Sequence, residues 1–436
     1  KSQYKGGYNM EIIENKRIDE KLYHARTESG LNIYYMPKKG YTKKHAVFAT
    51  NYGSNDNCFV PVDESKPITV PEGIAHFLEH KLFEESDVNI MDEFSKFGAS
   101  VNAYTNFNQT AYLFFTVDYF YESLELLIKF VQDPYFTNEN IEKEKGIIGQ
   151  EIKMYQDDPN WRVFSNCLRG MYYNHPIKTD IAGTIESIKN INKEVLYKCY
   201  NTFYNPSNMV LFIVGDLSFD EIVERVEKVE SKKFKEEIKE IKRIYPNEPK
   251  EIKEKHMEEE LATSIPLFAI GFKDNYLGVP KKKQIKKDLT TNILLEILFG
   301  NSSRFYNELY VKGLIDSSFS SYFTGKYDYG HSLIVGQSVN PNMATEEITN
   351  YIKDISKKKL SQENFNRIKN KNIGGFLMGL NSIDFISNYF IENYFNDFLF
   401  IDFPDIINNI NIKDVEERLR EHLLVENMVL SIVKPL

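Results

Sequence analysis

The chain has 436 residues, a formal net charge of -9 and 42% hydrophobic side chains. That length predicts two or more domains, and that apolar content excludes wholesale disorder. The acidic balance disfavours a nucleic-acid partner, because phosphate binding needs a concentrated basic surface, and no apolar run is long enough to span a bilayer.

The residues before Met10 lack the apolar core of a secretion signal and are set outside the first domain. A cytoplasmic location is expected. Residues 21–38 and 44–53 read as strands, with a turn at Gly30. Residues 72–83 and 89–97 read as helices, 99–105 and 110–117 as alternating strands, and 119–131 and 138–171 as helical stretches. The segment 231–260 carries dense mixed charge with Pro246 and Pro249, and reads as an exposed connector. Beyond it, strands are expected near 265–272, 317–323 and 332–339, and helices near 287–298, 345–355 and 362–380. This order suggests an α+β sandwich rather than a Rossmann sheet, and neither GxGxxG nor GxxxxGK appears.

An echo divides the chain. Asn208-Met209-Val210-Leu211 ends one half and Asn427-Met428-Val429-Leu430 ends the other, each after a helical segment of similar length. The spacing favours duplication. The resulting domains are 10–230, the connector 231–260, and 261–436.

Cys58, Cys167 and Cys199 are odd in number and form no CxxC. They imply neither a disulfide framework nor a thiolate metal site, so any metal here must be held by His and carboxylates. His76-Phe77-Leu78-Glu79-His80 supplies such a set. Four residues apart on a helix, the two imidazoles share one face one turn apart. Glu79 falls on the same side, as in the HxxEH inversion of the zincin motif. Neutral imidazole and carboxylate suit Zn²⁺, which lowers the pKa of a bound water towards about 7. Glu79 has the right type and place for the general base.

A third ligand must come from elsewhere. Glu144 and Glu151 lie seven residues apart, close to two helical turns, and so share a face. Gly146 and Gly149 are expected to let that helix approach another closely. Spacing alone does not separate a ligand from a solvated carboxylate.

HxxEH followed by a glutamate about seventy residues on resembles the pitrilysin family, which includes insulysin and the mitochondrial processing peptidase. Val101-Asn102-Ala103-Tyr104-Thr105 is similar to the family's NAxT strand, and 142–151 to its second glutamate helix. His175-Pro176 followed by Ala182-Gly183 resembles the turn after that helix. The resemblance implies two homologous α+β halves, each a mixed sheet with helices on one side, and a metal site in the first half only. It makes Glu151 the third zinc ligand, Glu144 a supporting carboxylate behind the site, and His175 structural. It also implies one zinc ion per chain and a peptide substrate bound as an added strand along Ala99, Ser100, Val101, Asn102, Ala103 and Tyr104.

The length matches the half-size bacterial branch, which works as two-chain assemblies. Where the family places an Arg–Tyr pair that grips substrate, this chain has Tyr310 and, near the second position, Asp316. The expectation is therefore a zinc metalloendopeptidase subunit partnered by a homologous chain that carries the Arg and Tyr. The alternatives are a non-catalytic scaffold of the same fold, or a catalytic subunit dedicated to leader removal in one peptide-maturation pathway.

Overall fold

The computed structural model describes residues 2–5, 8–83, 89–230 and 240–436. The first half contributes strands β1 (Ser2–Lys5), β2 (Tyr8–Asn15), β3 (Glu20–Arg26), β4 (Asn32–Pro37), β5 (Lys44–Thr50), β6 (Cys58–Phe59), β7 (Ile68–Thr69), β8 (Ser100–Thr105), β9 (Thr110–Thr116) and β10 (Met209–Gly215). Its helices are α1 (Ile74–Leu82), α2 (Ile90–Lys96), α3 (Phe120–Gln132), α4 (Asn138–Asp157), α5 (Pro159–Met171), α6 (Ile185–Ile188), α7 (Lys193–Phe203) and α8 (Phe219–Val229). The second half contributes β11 (His256–Leu261), β12 (Leu267–Lys273), β13 (Ser320–Gly325), β14 (Gly330–Gln337) and β15 (Met428–Pro435). Its helices are α9 (Lys281–Phe299), α10 (Arg304–Val311), α11 (Pro341–Ile355), α12 (Gln362–Gly379), α13 (Ile383–Tyr394), α14 (Phe403–Asn408) and α15 (Ile412–His422).

The two large sheets run β1-β2-β3-β4-β10-β5-β9-β8 and β11-β15-β12-β14-β13. In the first, β10 is parallel to β4 and antiparallel to β5. In the second, β15 is parallel to β11 and antiparallel to β12. The sequence echo therefore marks equivalent strands. The helices before them match too: α7 and α15 are capped by Asn192 and Asn411, whose side chains accept first-turn N–H groups. The fold is a duplicated α+β architecture.

The halves interlock. Helices of the first half bury Phe77, Leu78, Leu124 and Leu196 against one face of the first sheet. Its other face packs on α13, where Phe390 stacks on Phe212 with ring centroids 4.1 Å apart. Reciprocally, α5 of the first half covers the second sheet through Cys167, Leu168 and Met171. Gly271 permits that approach, since a Cβ there would lie 2.4 Å from Met171 Cε and 2.6 Å from Cys167 Sγ. All three cysteines are free, and Cys167 and Cys199 are buried.

Two expectations need correction. Before Met10, Tyr8 and Asn9 begin β2 and Ser2–Lys5 pair antiparallel with that strand, so both stretches join the first sheet. The connector is only partly a connector: residues 231–239 lie outside the described residues, but β11 begins inside 231–260, at His256, and belongs to the second sheet. Between them the chain is pinned to the first half. Arg243 and Tyr245 hydrogen-bond the buried Asp56, and Glu248 accepts the N–H groups of Tyr173, Asn174 and His175. Pairing with buried partners outweighs the solvation that its charges alone predict. No helix among the described residues is long and apolar enough to cross a membrane.

Candidate metal centre

Helix α1 starts where two backbones cross. Gly73, at φ 89°, precedes its first turn, and a Cβ there would sit 2.3 Å from the Ala182 carbonyl oxygen. Gly183 meets the Glu72 carbonyl as closely, and Ser187 Oγ donates to that carbonyl at 2.8 Å. From this anchor α1 sends Ile74, Ala75, Phe77, Leu78 and Leu82 into the core. His76, Glu79 and His80 are left facing α4. The His76 and His80 rings lie with centroids 4.5 Å apart.

Helix α4 opens with a capping box between Thr137 and Asn140. It buries Ile141, Glu144, Ile148 and Ile152 and turns Glu151 towards the imidazoles. Glu151 Oε1 lies 3.6 Å from His76 Nε2 and Oε2 lies 3.6 Å from His80 Nε2. One ligand atom from each of His76, His80 and Glu151 falls within 4.8 Å of the others. Tetrahedral zinc with bonds of about 2.0–2.1 Å sets its ligand atoms about 3.3 Å apart. The donor types and the spacing therefore fit a zinc ion. Among the described residues this is the one such group of three metal-ligating side chains.

Around the trio stand groups of two kinds. Glu144 lies behind it: its Oε1 is 2.9 Å from His80 Nδ1, and its Oε2 is 3.7 Å from Nζ of the fully buried Lys81. Glu79 lies beside it and accepts a hydrogen bond from Thr105 Oγ1 at 2.9 Å. Burial pushes the Glu79 carboxyl up to about 7, against the pull of the His80 charge and the Thr105 hydrogen bond. Burial and the His80 charge press His76 down to about 3, so its imidazole is neutral. His80 goes the other way: burial would lower it, but the Glu144 hydrogen bond and the charges of Glu79, Glu144 and Glu151 together raise it.

These groups open into a cleft of about 1020 Å³, shared by α1, α4 and the outer strand of the first sheet. Asn102, Ala103 and Tyr104 line it, whereas Ala99, Ser100 and Val101 do not. As the last strand, β8 has one edge unpaired within the described chain. Helix α4 corrects one further expectation. A Cβ at Gly146 or Gly149 would meet nothing within 4 Å, so neither glycine packs against a helix. Glu144 and Gly146 are two residues, about 200°, apart around the helix, so the glycines face away from the side that meets α1.

Thr105, Tyr155, Trp161 and Asp180 also belong to the cleft. Thr105 ends the NAxT stretch, and Tyr155 falls one turn beyond Glu151. Only those two had a sequence signal. His175 is buried, lies 3.0 Å from Asp328 and stays apart from the trio. In the second half the positions one repeat length beyond His76 and His80 are Leu295 and Phe299, both core residues of α9. Tyr310 lies in the last turn of α10, half exposed at 52%, and Asp316 accepts the Ser318 N–H in the loop beyond.

Two interlocked α+β halves, with the one His–His–Glu trio among the described residues lying in the first, define a duplicated metallopeptidase scaffold. Residues 70–185 match the model for Insulinase (Peptidase family M16), and residues 190–372 the model for the Peptidase M16 inactive domain. The chain is 43% identical over 423 residues to the "Uncharacterized zinc protease YmfH" of Bacillus subtilis, spanning 97% of this chain and 99% of that one. The protein described as "putative M16-like peptidase from Alicyclobacillus acidocaldarius" superimposes with a TM-score of 0.92 at 36% identity, covering 97% of this chain and all of that one. Pitrilysin shares the fold with a TM-score of 0.75 at 15% identity, over 98% of this chain but 46% of its own. The chain belongs to the M16 peptidase family, in its half-size form.

Proposed function

We propose that this chain is the catalytic subunit of a zinc metalloendopeptidase that cleaves flexible peptides. The observation that carries this reading is the convergence of His76, His80 and Glu151 with Glu79 alongside. A zinc ion held by the trio would polarise the scissile carbonyl and acidify a water. The chain's own groups supply the rest. Glu79, beside the ligands and not among them, is placed to accept a proton and return it to the leaving amine. Thr105 holds one Glu79 oxygen, leaving the other to work. Glu144 fixes the orientation of His80. The free edge of β8, which reaches the cleft at Asn102–Tyr104, offers main-chain groups to an extended peptide, which gives affinity with little sequence demand and excludes folded domains.

The test is metal analysis of the purified chain with cleavage of an unstructured peptide. One zinc per chain and chelator-sensitive cleavage are expected. Full zinc occupancy in a His76→Ala, His80→Ala double variant would overturn the ligand set.

The Tyr310 and Asp316 positions favour a second component. Neither side chain can donate as a guanidinium does, and Asp316 adds negative charge where a phenol is needed. A homologous subunit that carries Arg and Tyr would complete the grip on substrate and raise turnover by orienting it. Cleavage should therefore rise when the co-purifying homologue is added. Full activity from the isolated chain, unchanged by the homologue, would instead favour a monomer or homodimer.

A further inference from the structure

Helix α4 ends at Asp157, and Asp158 caps the next helix by accepting the N–H groups of Asn160 and Trp161. This sharp restart folds the first turn of α5 back against the last turns of α4. Trp161 thereby comes to rest on Tyr155, with ring centroids 5.4 Å apart at 39°. Tyr155 Oη donates to Glu151 Oε1 at 2.9 Å, the same oxygen that faces His76 Nε2. Trp161 is fixed in turn, because its indole N–H donates to Asp180. Asp180 accepts the Ala182 N–H at 2.9 Å, in the turn whose Gly183 abuts Glu72 and so the start of α1. The path closes on itself: from the helix that carries both histidines, through a turn, an indole and a phenol, to the carboxylate that faces them.

His80 has Glu144 to orient it, whereas among the described residues the partners of Glu151 are the two imidazoles and the Tyr155 hydroxyl. Its side chain is partly exposed in the cleft, where an untethered glutamate samples several rotamers. A donor on Oε1 selects one rotamer and presents the second oxygen towards His80. Taken with the zinc reading above, we infer that Tyr155, held by Trp161, is a positioning residue that sets the orientation of the Glu151 carboxylate for metal binding. It acts through Glu151 and not on substrate.

The test uses the full chain as Tyr155→Phe, which keeps the ring and removes only the hydroxyl, with Trp161→Phe as a second variant. The readouts are the zinc dissociation constant by chelator competition and the visible spectrum of the cobalt(II)-loaded protein, which reports ligand geometry. Tyr155→Phe should raise the zinc dissociation constant about 10–100-fold, the range for groups that orient metal ligands. It should also shift the cobalt bands while leaving the melting temperature of the metal-free chain unchanged. Trp161→Phe should move both readouts in the same direction and less far. A Tyr155→Phe chain with wild-type zinc affinity and wild-type cobalt bands would overturn the assignment. Failure of the wild-type chain to bind zinc would instead count against the site itself, so the two failures are distinguishable.

Discussion

His80 Nδ1 lies 2.9 Å from Oε1 of Glu144, a carboxylate whose other oxygen faces the buried ammonium of Lys81. The imidazole is thus fixed from behind while its Nε2 is turned to Glu151. Replacing Glu144 by Gln keeps the shape but removes the charge that holds His80 and leaves Lys81 less well compensated. Zinc affinity should fall about 10–100-fold, with a lowered melting temperature. Chelator competition and thermal unfolding check this, and wild-type values in both would reduce Glu144 to a passive core carboxylate.

Zinc binding should weaken as pH falls. His80 is raised above its ordinary value of 6.5 in the metal-free fold, chiefly because the Glu144 hydrogen bond and the surrounding carboxylates overcome burial. A raised histidine adds stability that is fully present below that ordinary value and lost as pH rises through the folded one. Zinc must displace that proton. Calorimetry near pH 6.5, in buffers of different ionisation heat, should show proton release on binding. An affinity that does not change between pH 6 and 8 would contradict the arrangement.

The site was legible in the sequence where its logic is local. HxxEH within one helix and two glutamates seven apart on another each declare a shared face, because helical spacing alone brings those side chains together. The echo ending each half also located β10 and β15, whose short apolar runs are paired on both sides within their sheets. What spacing could not show is exchange between halves. That α5 covers the second sheet and α13 the first depends on faces more than a hundred residues apart. The same holds for Trp161 and Asp180, which reach the cleft through a tight helix restart and a distant turn. The glycines of α4 were misread for a simpler reason: small residues permit close packing, but nothing makes their face the packed one.

Gly146 follows from that correction. It lies exposed inside α4, with open space where a Cβ would go. Gly146→Ala should stabilise the fold by about 0.5–1 kcal/mol through the lower backbone entropy of the unfolded chain. Urea unfolding measures this, and destabilisation would show that the glycine face meets something.

Asp274 anchors the second half. It is fully buried between Arg418, at 2.8 Å, and Lys287, at 3.1 Å. Burial alone would raise its carboxyl, but His422, Arg418 and Lys287 hold it well below the usual carboxylate range. Asp274→Asn leaves two buried cations without their anion and should cost about 3–5 kcal/mol at pH 7. A depressed carboxyl gives stability that is present above its ordinary value of 3.8 and lost as pH falls below it. Wild type and variant should therefore converge in stability towards acid pH. A constant gap in denaturant unfolding from pH 7 to pH 3 would contradict the assignment.

The measurement closest to the central claim compares wild type with Glu79→Gln on one flexible peptide, with zinc quantified in both preparations. Glu79 is not one of the three ligands, and its carboxylate accepts a hydrogen bond from Thr105. The variant should carry one zinc per chain, melt with the wild type, and cleave about 10²–10⁴-fold more slowly, the loss expected for a general base. A zinc-loaded Glu79→Gln chain that cleaves at the wild-type rate would contradict the account.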